Sequence, residues 1–212
     1  MKKIGALCFM VLSLSMASGA AIRLGISSSY AKHLESNFGN GLAPGFSLAY
    51  DVTPMFAVEV RGALFASTVT GSTTSLSQGK MTMVPVEIAV VARFGAGKKL
   101  VPYAVVGGGY GLHSFKLDSQ IVNDWSNLGL TLSESIKKGA TILIGAGLDY
   151  ALKTGPKPGQ GIFLNFEARY LMGKTDGSWS LTDNASQEKA TGVLGGLKLD
   201  SLLIGLGVKY GF

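Results

Sequence analysis

The sequence has a single cysteine, Cys8, in 212 residues. A lone thiol excludes an internal disulfide framework. Histidine is almost as scarce: His33 and His113 are the only two. Neither sits among Cys, Asp or Glu at metal-ligand spacing, so no metal and no cofactor is expected. Charged residues amount to 15%, well under the quarter or so of an ordinary globular domain. With a positive mean hydropathy, this excludes a disordered chain, which needs low hydrophobicity and high charge. Heptads rich in Ala, Leu, Glu and Lys are missing, which excludes a coiled coil. No apolar run reaches the length of about 18 residues that a membrane helix needs. The isoelectric point near 9.4 comes without a Lys/Arg cluster, so nucleic acid is not an expected partner. The excess is in glycine, 30 residues, about twice the usual share. The apolar residues are dispersed, and the manner of their dispersal decides the fold.

The N-terminus has the build of an export signal. Lys2 and Lys3 precede the apolar stretch Ile4 to Met16, and small residues follow from Ala17 to Ala21. That order of charge, short apolar run and small side chains is what signal peptidase reads. Cleavage is expected after Gly19, Ala20 or Ala21, dividing the chain into a signal peptide, 1–20, and a mature domain, 21–212. Leu7 stands where a lipoprotein signal has a small residue before its cysteine, so Cys8 is not expected to be lipidated. The mature chain then has no cysteine, which suits passage through an oxidising compartment. Its formal charge falls by two lysines, from +6 to +4.

Beyond the signal, the hydrophobic pattern has period two almost throughout, the mark of strands with one apolar face. Eight alternating segments are legible. The first, from Ala21 to about Ala31, sets Ile22, Leu24, Ile26 and Tyr30 against Arg23, Gly25, Ser27 and Ser29. The others are Gly45 to Val52, Met55 to Ala66, Met81 to Phe94, Val101 to Phe115, Ala140 to Leu152, Ile162 to Met172 and Asp200 to Phe212. In the fifth, Gly107, Gly108 and Gly109 blur the parity after Tyr103 and Val105. Three linkers are short and carry turn residues, at 51–54, 95–99 and 153–161. Four are longer and polar, at 32–41, 67–80, 116–138 and 173–199. Short turns at one end and long loops at the other are the asymmetry of a transmembrane β-barrel. Each segment is also long enough for a tilted strand to cross hydrocarbon.

The polar face supports the same fold. Glu59, Arg61, Glu87, Arg93, Asp149, Glu167, Arg169 and Lys209 all fall on it. Charge is costly on a lipid face and tolerated in a lumen, where mixed signs can pair. The rest of that face is mostly Gly, Ala and Ser, which fits a crowded small barrel better than the charge-rich wet face of a soluble sandwich. The apolar faces end in Tyr50, Phe56, Phe94, Tyr103, Tyr150, Tyr210 and Phe212 near the short turns. These read as an interfacial girdle. The expected fold is therefore all-β: an eight-stranded antiparallel up-and-down transmembrane β-barrel, with both termini on the periplasmic side and four loops outside.

Pro102-Tyr103 leading into Gly107-Gly108-Gly109-Tyr110-Gly111, and the tail Leu206-Gly207-Val208-Lys209-Tyr210-Gly211-Phe212, resemble the small outer-membrane barrels of Gram-negative bacteria. These are the OmpA-type transmembrane domain and the OmpX-type and OmpW-type proteins. The resemblance spans the mature chain as a pattern. It implies residence in the outer membrane among lipid and lipopolysaccharide, as a monomer. It also implies recognition of the terminal Phe212 by the barrel-insertion machinery. Because the sequence stops at Phe212, the periplasmic peptidoglycan-binding domain of full-length OmpA-like proteins is not expected.

Catalytic patterns are weak. Gly173-Lys174-Thr175 lacks the earlier glycine of a phosphate loop, because Ala168 stands in its place. His113 and Ser114 are adjacent on a strand and point to opposite faces, so they cannot pair as base and nucleophile. No enzymatic activity is expected. Trp125 and Trp179, in the two longest loops, are candidate contacts for a surface partner or the membrane interface. Two functions stay open: a structural or surface-interaction role through the four outward loops, and a narrow channel for small or apolar solutes of the OmpW type. If the lumen charges pair across the barrel, it is plugged. N-terminal sequencing of the exported chain should find a start between residues 20 and 22; an intact Met1 on the exported chain would refute the signal reading.

Overall fold

In a computed structural model, residues 21–70, 77–156 and 159–212 are described; the expected signal peptide, 1–20, lies outside them. The described chain runs β1 (Ile22–His33), β2 (Gly41–Asp51), β3 (Phe56–Ala63), β4 (Phe65–Thr70), β5 (Ser77–Arg93) and β6 (Leu100–Leu117). It continues through helix α1 (Ser119–Asn127) to β7 (Leu130–Ile136), β8 (Gly139–Thr154), β9 (Gly161–Asp183), β10 (Lys189–Lys198) and β11 (Ser201–Gly211). Three of these strands prolong others. β4 follows β3 along the same edge of β5, β7 precedes β8 along one edge of β9, and β10 precedes β11 along its other edge. Eight antiparallel staves result, and β11 pairs with β1 to close them into a barrel. Closure matters because a bilayer offers no water to unpaired backbone groups.

The register is staggered. Following paired residues around the ring from Ile22 leads through Tyr50, Val58, Val90, Val106, Ile144, Tyr170 and Leu202 to Lys32, ten residues further along β1. This shear tilts the strands and leaves an interior that side chains can fill. Outside, the alternate residues form a continuous apolar belt, with Ile26 72% and Leu206 67% exposed. So large an apolar surface is stable only against lipid. No helix among the described residues is long and apolar enough to cross a membrane; the strands do so.

The segments read from the pattern are the membrane-crossing parts of these strands. The long polar linkers, however, are not mainly loops. β9 continues eleven residues beyond Met172, paired on one side with β10 and on the other with β7. β4, β5 and β6 likewise rise past the apolar belt. Above the membrane both faces of a strand meet water or other polar elements, so the alternation that reveals a strand disappears although the ladder continues. Helix α1 begins where Asp118 accepts a hydrogen bond from the backbone N–H of Gln120, 3.1 Å away, a standard N-cap.

At the tip of β9, Asp183 accepts from the N–H groups of Ala185 and Ser186, and these bonds hold its carboxyl below the usual range. Lower on the same hairpin the Trp179 ring lies where a side chain on Gly192 would project. In a Trp125→Phe background, Gly192→Val should therefore red-shift Trp179 fluorescence and speed proteolysis of the tip, with the barrel's heat stability unchanged. An unmoved emission maximum would show that this packing does not hold the hairpin.

Candidate functional site in the lumen and outer cleft

The lumen is filled in layers. Nearest the short turns, Asp51 accepts from Arg23 Nη2 and from Arg93 Nη1, each at 2.8 Å. Asp149 Oδ1 accepts from Lys209 Nζ at 3.2 Å and from Asn165 Nδ2 at 2.8 Å. Arg23 also lies 3.7 Å from Asp149 and stacks over Phe163. One level outward, Glu167 gathers Arg61 and Arg169, both at 2.9 Å, and Arg61 bonds Glu59 at 2.6 Å. Tyr103 joins the layers: its hydroxyl donates to Glu167 at 2.6 Å and accepts from Asn165 at 2.7 Å, and Lys209 sits over its ring. The buried charges are Arg23, Arg61, Arg93, Arg169 and Lys209 against Asp51, Glu59, Glu87, Asp149 and Glu167. Among the described residues the set is balanced, five to five, as a low-dielectric interior requires.

Further outward the filling becomes apolar. Phe65, Met83, Leu143, Leu171, Leu199 and Leu203 are buried together. His33 is set between the rings of Phe38 and Phe65, and its Nδ1 lies 2.9 Å from the hydroxyl of Ser201. The free space matches this filling. A cavity of about 20 Å³ lies beside Glu59, Arg61, Glu167 and Arg169, room for one water. The mouth at the short turns is a hollow of about 330 Å³. At the opposite end a cleft of about 470 Å³ opens between the β4–β5–β6 extension and the β7–β9–β10 extension, lined by Phe38, Val69, Phe115, Leu132, Ile136 and Leu197. In its wall Glu134 accepts from the N–H of Leu117, and burial pushes its carboxyl above the usual range.

The charges expected in the lumen are there, and most are paired. Glu87 is the exception: it is buried, but among the described residues no cation forms an ion pair with it and its Oε1 has no hydrogen-bond partner. Its neighbours across the strands are Arg61 on β3 and Gly109 on β6, and Arg61 turns instead to Glu59 and Glu167. Arg23 and Asp51 belong to the network although the expected set omitted them. Both stand on the polar parity of their segments, which is the signal that locates them.

One expected girdle residue is misplaced. Tyr103 is 2% exposed and points into the lumen, because β6 starts its inward parity at Val101 and carries it through Tyr103 and Val105. A Cβ on Gly147, opposite, would lie 2.5 Å from the Tyr103 hydroxyl, so that glycine makes the ring's space. Tyr50, Phe56, Phe94, Tyr150, Tyr210 and Phe212 do lie on the outward parity at the short-turn end. His113 points inward against the carbonyl of Lys137, at 3.1 Å, and Ser114 points out. Among the described residues no three His, Cys, Asp or Glu side chains are grouped as a metal site.

A closed eight-stave barrel with a lipid-facing belt and a filled lumen defines an outer-membrane barrel protein, and the family comparison agrees. Residues 4–212 match the outer membrane protein beta-barrel domain family, so the chain belongs to that family and its place is the bacterial outer membrane. No curated protein matches the sequence. Among solved structures it is similar to the outer membrane protein OprG from Pseudomonas aeruginosa, with 15% identity, 90% of this chain and 95% of that one covered, and a TM-score of 0.59. It is also similar to Neisserial surface protein A, with 15% identity, coverage of 92% and 98%, and a TM-score of 0.58. A major outer membrane protein from Thermus thermophilus shares 12% identity over 90% and 99%, with a TM-score of 0.55. At such identities the likeness shows the fold alone.

Removing one partner of a buried ion pair strands the other charge, at a cost of about 3–5 kcal/mol. Asp51→Asn, which weakens the hold on two guanidinium groups, should therefore lower stability in urea titrations of the refolded barrel by roughly that amount. Glu87→Gln, which breaks no ion pair, should lower it by less than Asp51→Asn does. Equal losses in the two variants would refute the pairing scheme.

Proposed function

We propose that this protein is an ion-tight outer-membrane barrel that works through the surface it raises above the membrane. The single observation that carries the reading is the layered lumen filling, which leaves about 20 Å³ beside the central ion pairs. A hydrated ion crossing it would have to displace Glu59, Arg61, Glu167 and Arg169 from partners at 2.6–2.9 Å. The barrel is then an anchor, and the β4–β5–β6 and β7–β9–β10 extensions with helix α1 form the face offered to a surface partner. The mechanism is physical rather than catalytic. His33 and Ser201 are hydrogen-bonded, but Ser201 is 0% exposed and out of a substrate's reach.

The second reading, a narrow route for small apolar solutes, draws support from the outer cleft and its apolar lining. Below the cleft Phe65, Met83, Leu143 and Leu171 close the lumen, so passage would need a sideways exit or movement of these side chains.

Single-channel recording of the refolded mature chain in a planar bilayer tests the first reading. The natural protein should be silent. The double variant Arg93→Ala/Arg169→Ala, which opens both ionic layers, should give discrete steps. Steps from the natural protein would overturn the ion-tight reading, and an equally silent double variant would remove the ion pairs as its cause.

A further inference from the structure

The outer cleft carries one charge in an otherwise neutral lining. Apolar side chains such as Phe38, Phe115 and Leu197 form most of its walls, and Glu134 is the one ionisable residue among the described residues that line it. The pattern of β7 shows how unusual its place is. Leu132, Glu134 and Ile136 share the half-buried face that β7 turns to the cleft, while Thr131 and Ser133 lie on the exposed one. The carboxyl therefore stands between two apolar side chains, where the parity of the strand calls for a third.

Its surroundings leave the charge unmatched. In the lumen Asp51, Glu59, Asp149 and Glu167 each meet a cation. Glu134 forms no ion pair among the described residues. Its Oε1 accepts from the N–H of Leu117 at 3.1 Å, and that bond and burial are the only influences on its charge. Lys80 and Lys116, the nearest lysines on β5 and β6, have outward parity and stand on the other side of the wall. A backbone N–H offsets part of the cost of removing a carboxylate from water, but it brings no opposite charge. A carboxylate so placed gains most from a cation that enters the cleft with it.

We propose that the outer cleft is a binding site for a lipophilic amine, its apolar body against Phe38, Phe115, Leu132 and Leu197 and its ammonium group on the carboxylate of Glu134. The cleft, about 470 Å³, has the size of a small-molecule site. An ammonium group has several donors, and Asn37, Gln78 and Ser178 in the same lining supply neutral acceptors for those that Glu134 does not take. A carboxylate or sulfate ligand would meet a like charge. A neutral one would cover Glu134 without pairing it. The inference rests on the second reading above, that the cleft admits apolar solutes, but it does not require their passage through the barrel.

Trp179 stands directly opposite Glu134 on β9, on the same face, and reports binding by its fluorescence in the Trp125→Phe background. The mature chain, refolded in uncharged detergent, is titrated at neutral pH with phenylbutylamine, phenylbutanol and phenylbutyrate, probes of one shape and different charge. The amine should bind about tenfold more tightly than the alcohol, the worth of one charge-assisted hydrogen bond, and the carboxylate should bind most weakly. Added salt should weaken the amine alone. Glu134→Gln should bring the amine to the affinity of the alcohol and leave the alcohol unmoved; a merely structural role would weaken both alike. The comparison of probes on the unsubstituted Glu134 stands whether or not that variant folds. Equal binding of amine and alcohol would overturn the proposal and leave the apolar cleft standing, as would a preference for the amine that survives Glu134→Gln. Binding of none of the probes would overturn the reading of the cleft and the proposal with it.

Discussion

Backbone hydrogen bonding in a medium without water is the constraint on which everything else rests. Every N–H and C=O of a crossing strand must find a partner in the protein, and a sheet can arrange that only by closing. With eight staves and a register that advances ten residues in one circuit, closure also sets the bore. The bore is too narrow for a wide aqueous channel and too wide to be left empty, so the inward residues have to fill it.

Two kinds of filling are used, and they are segregated along the axis. Ionic groups occupy the half near the short turns, and apolar side chains occupy the half beneath the outer cleft. Burying ions gains little over burying well-packed apolar groups, since desolvation offsets most of the attraction. The return is geometric. A strand slipped by one residue would turn its whole inward set toward lipid. Arg61 on β3 and Glu167 on β9 meet across the bore, and Arg23 on β1 reaches Asp149 on β8 as well as its β2 neighbour Asp51. Such contacts are satisfied in one register only. Tyr103 ties the two ionic levels to each other, and Gly147 leaves the space it needs.

The fold was legible because lipid enforces a strict parity on the crossing segments, and parity is visible in a sequence. The same parity located Glu59, Arg61, Arg93, Asp149, Glu167, Arg169 and Lys209 on the inward face. It could not show which charges meet, because partners such as Arg61 and Glu167 are separated by more than a hundred positions and joined only by closure. Nor could it reveal that Glu87 is left aside. Tyr103 was misjudged for a chemical reason: at a strand end a tyrosine suits an interface and a polar lumen equally well, and the glycine run after it obscures the phase. The strands above the membrane were hidden because no lipid selects their outward residues. Thr131, Ser133 and Ser135 on β7 face Thr182, Ser180 and Ser178 on β9, a ladder of polar side chains without an apolar stripe.

Outside the barrel the same parity has a different consequence at each end. Near the short turns, the outward aromatics sit close to the point where each strand ends, and the chain leaves the headgroup region quickly. At the other end the staves continue past Tyr30, Tyr110 and Tyr170 as paired strands. Outward side chains there stay in fixed register through the depth of the headgroups instead of wandering in a loop. A lysine on a loop can move away from a like charge, whereas Lys80 and Lys116 are held opposite one another by the ladder that carries them. The strand extensions therefore do two things at once: they raise the walls of the apolar cleft on the inside, and they hold outward side chains in fixed register on the outside.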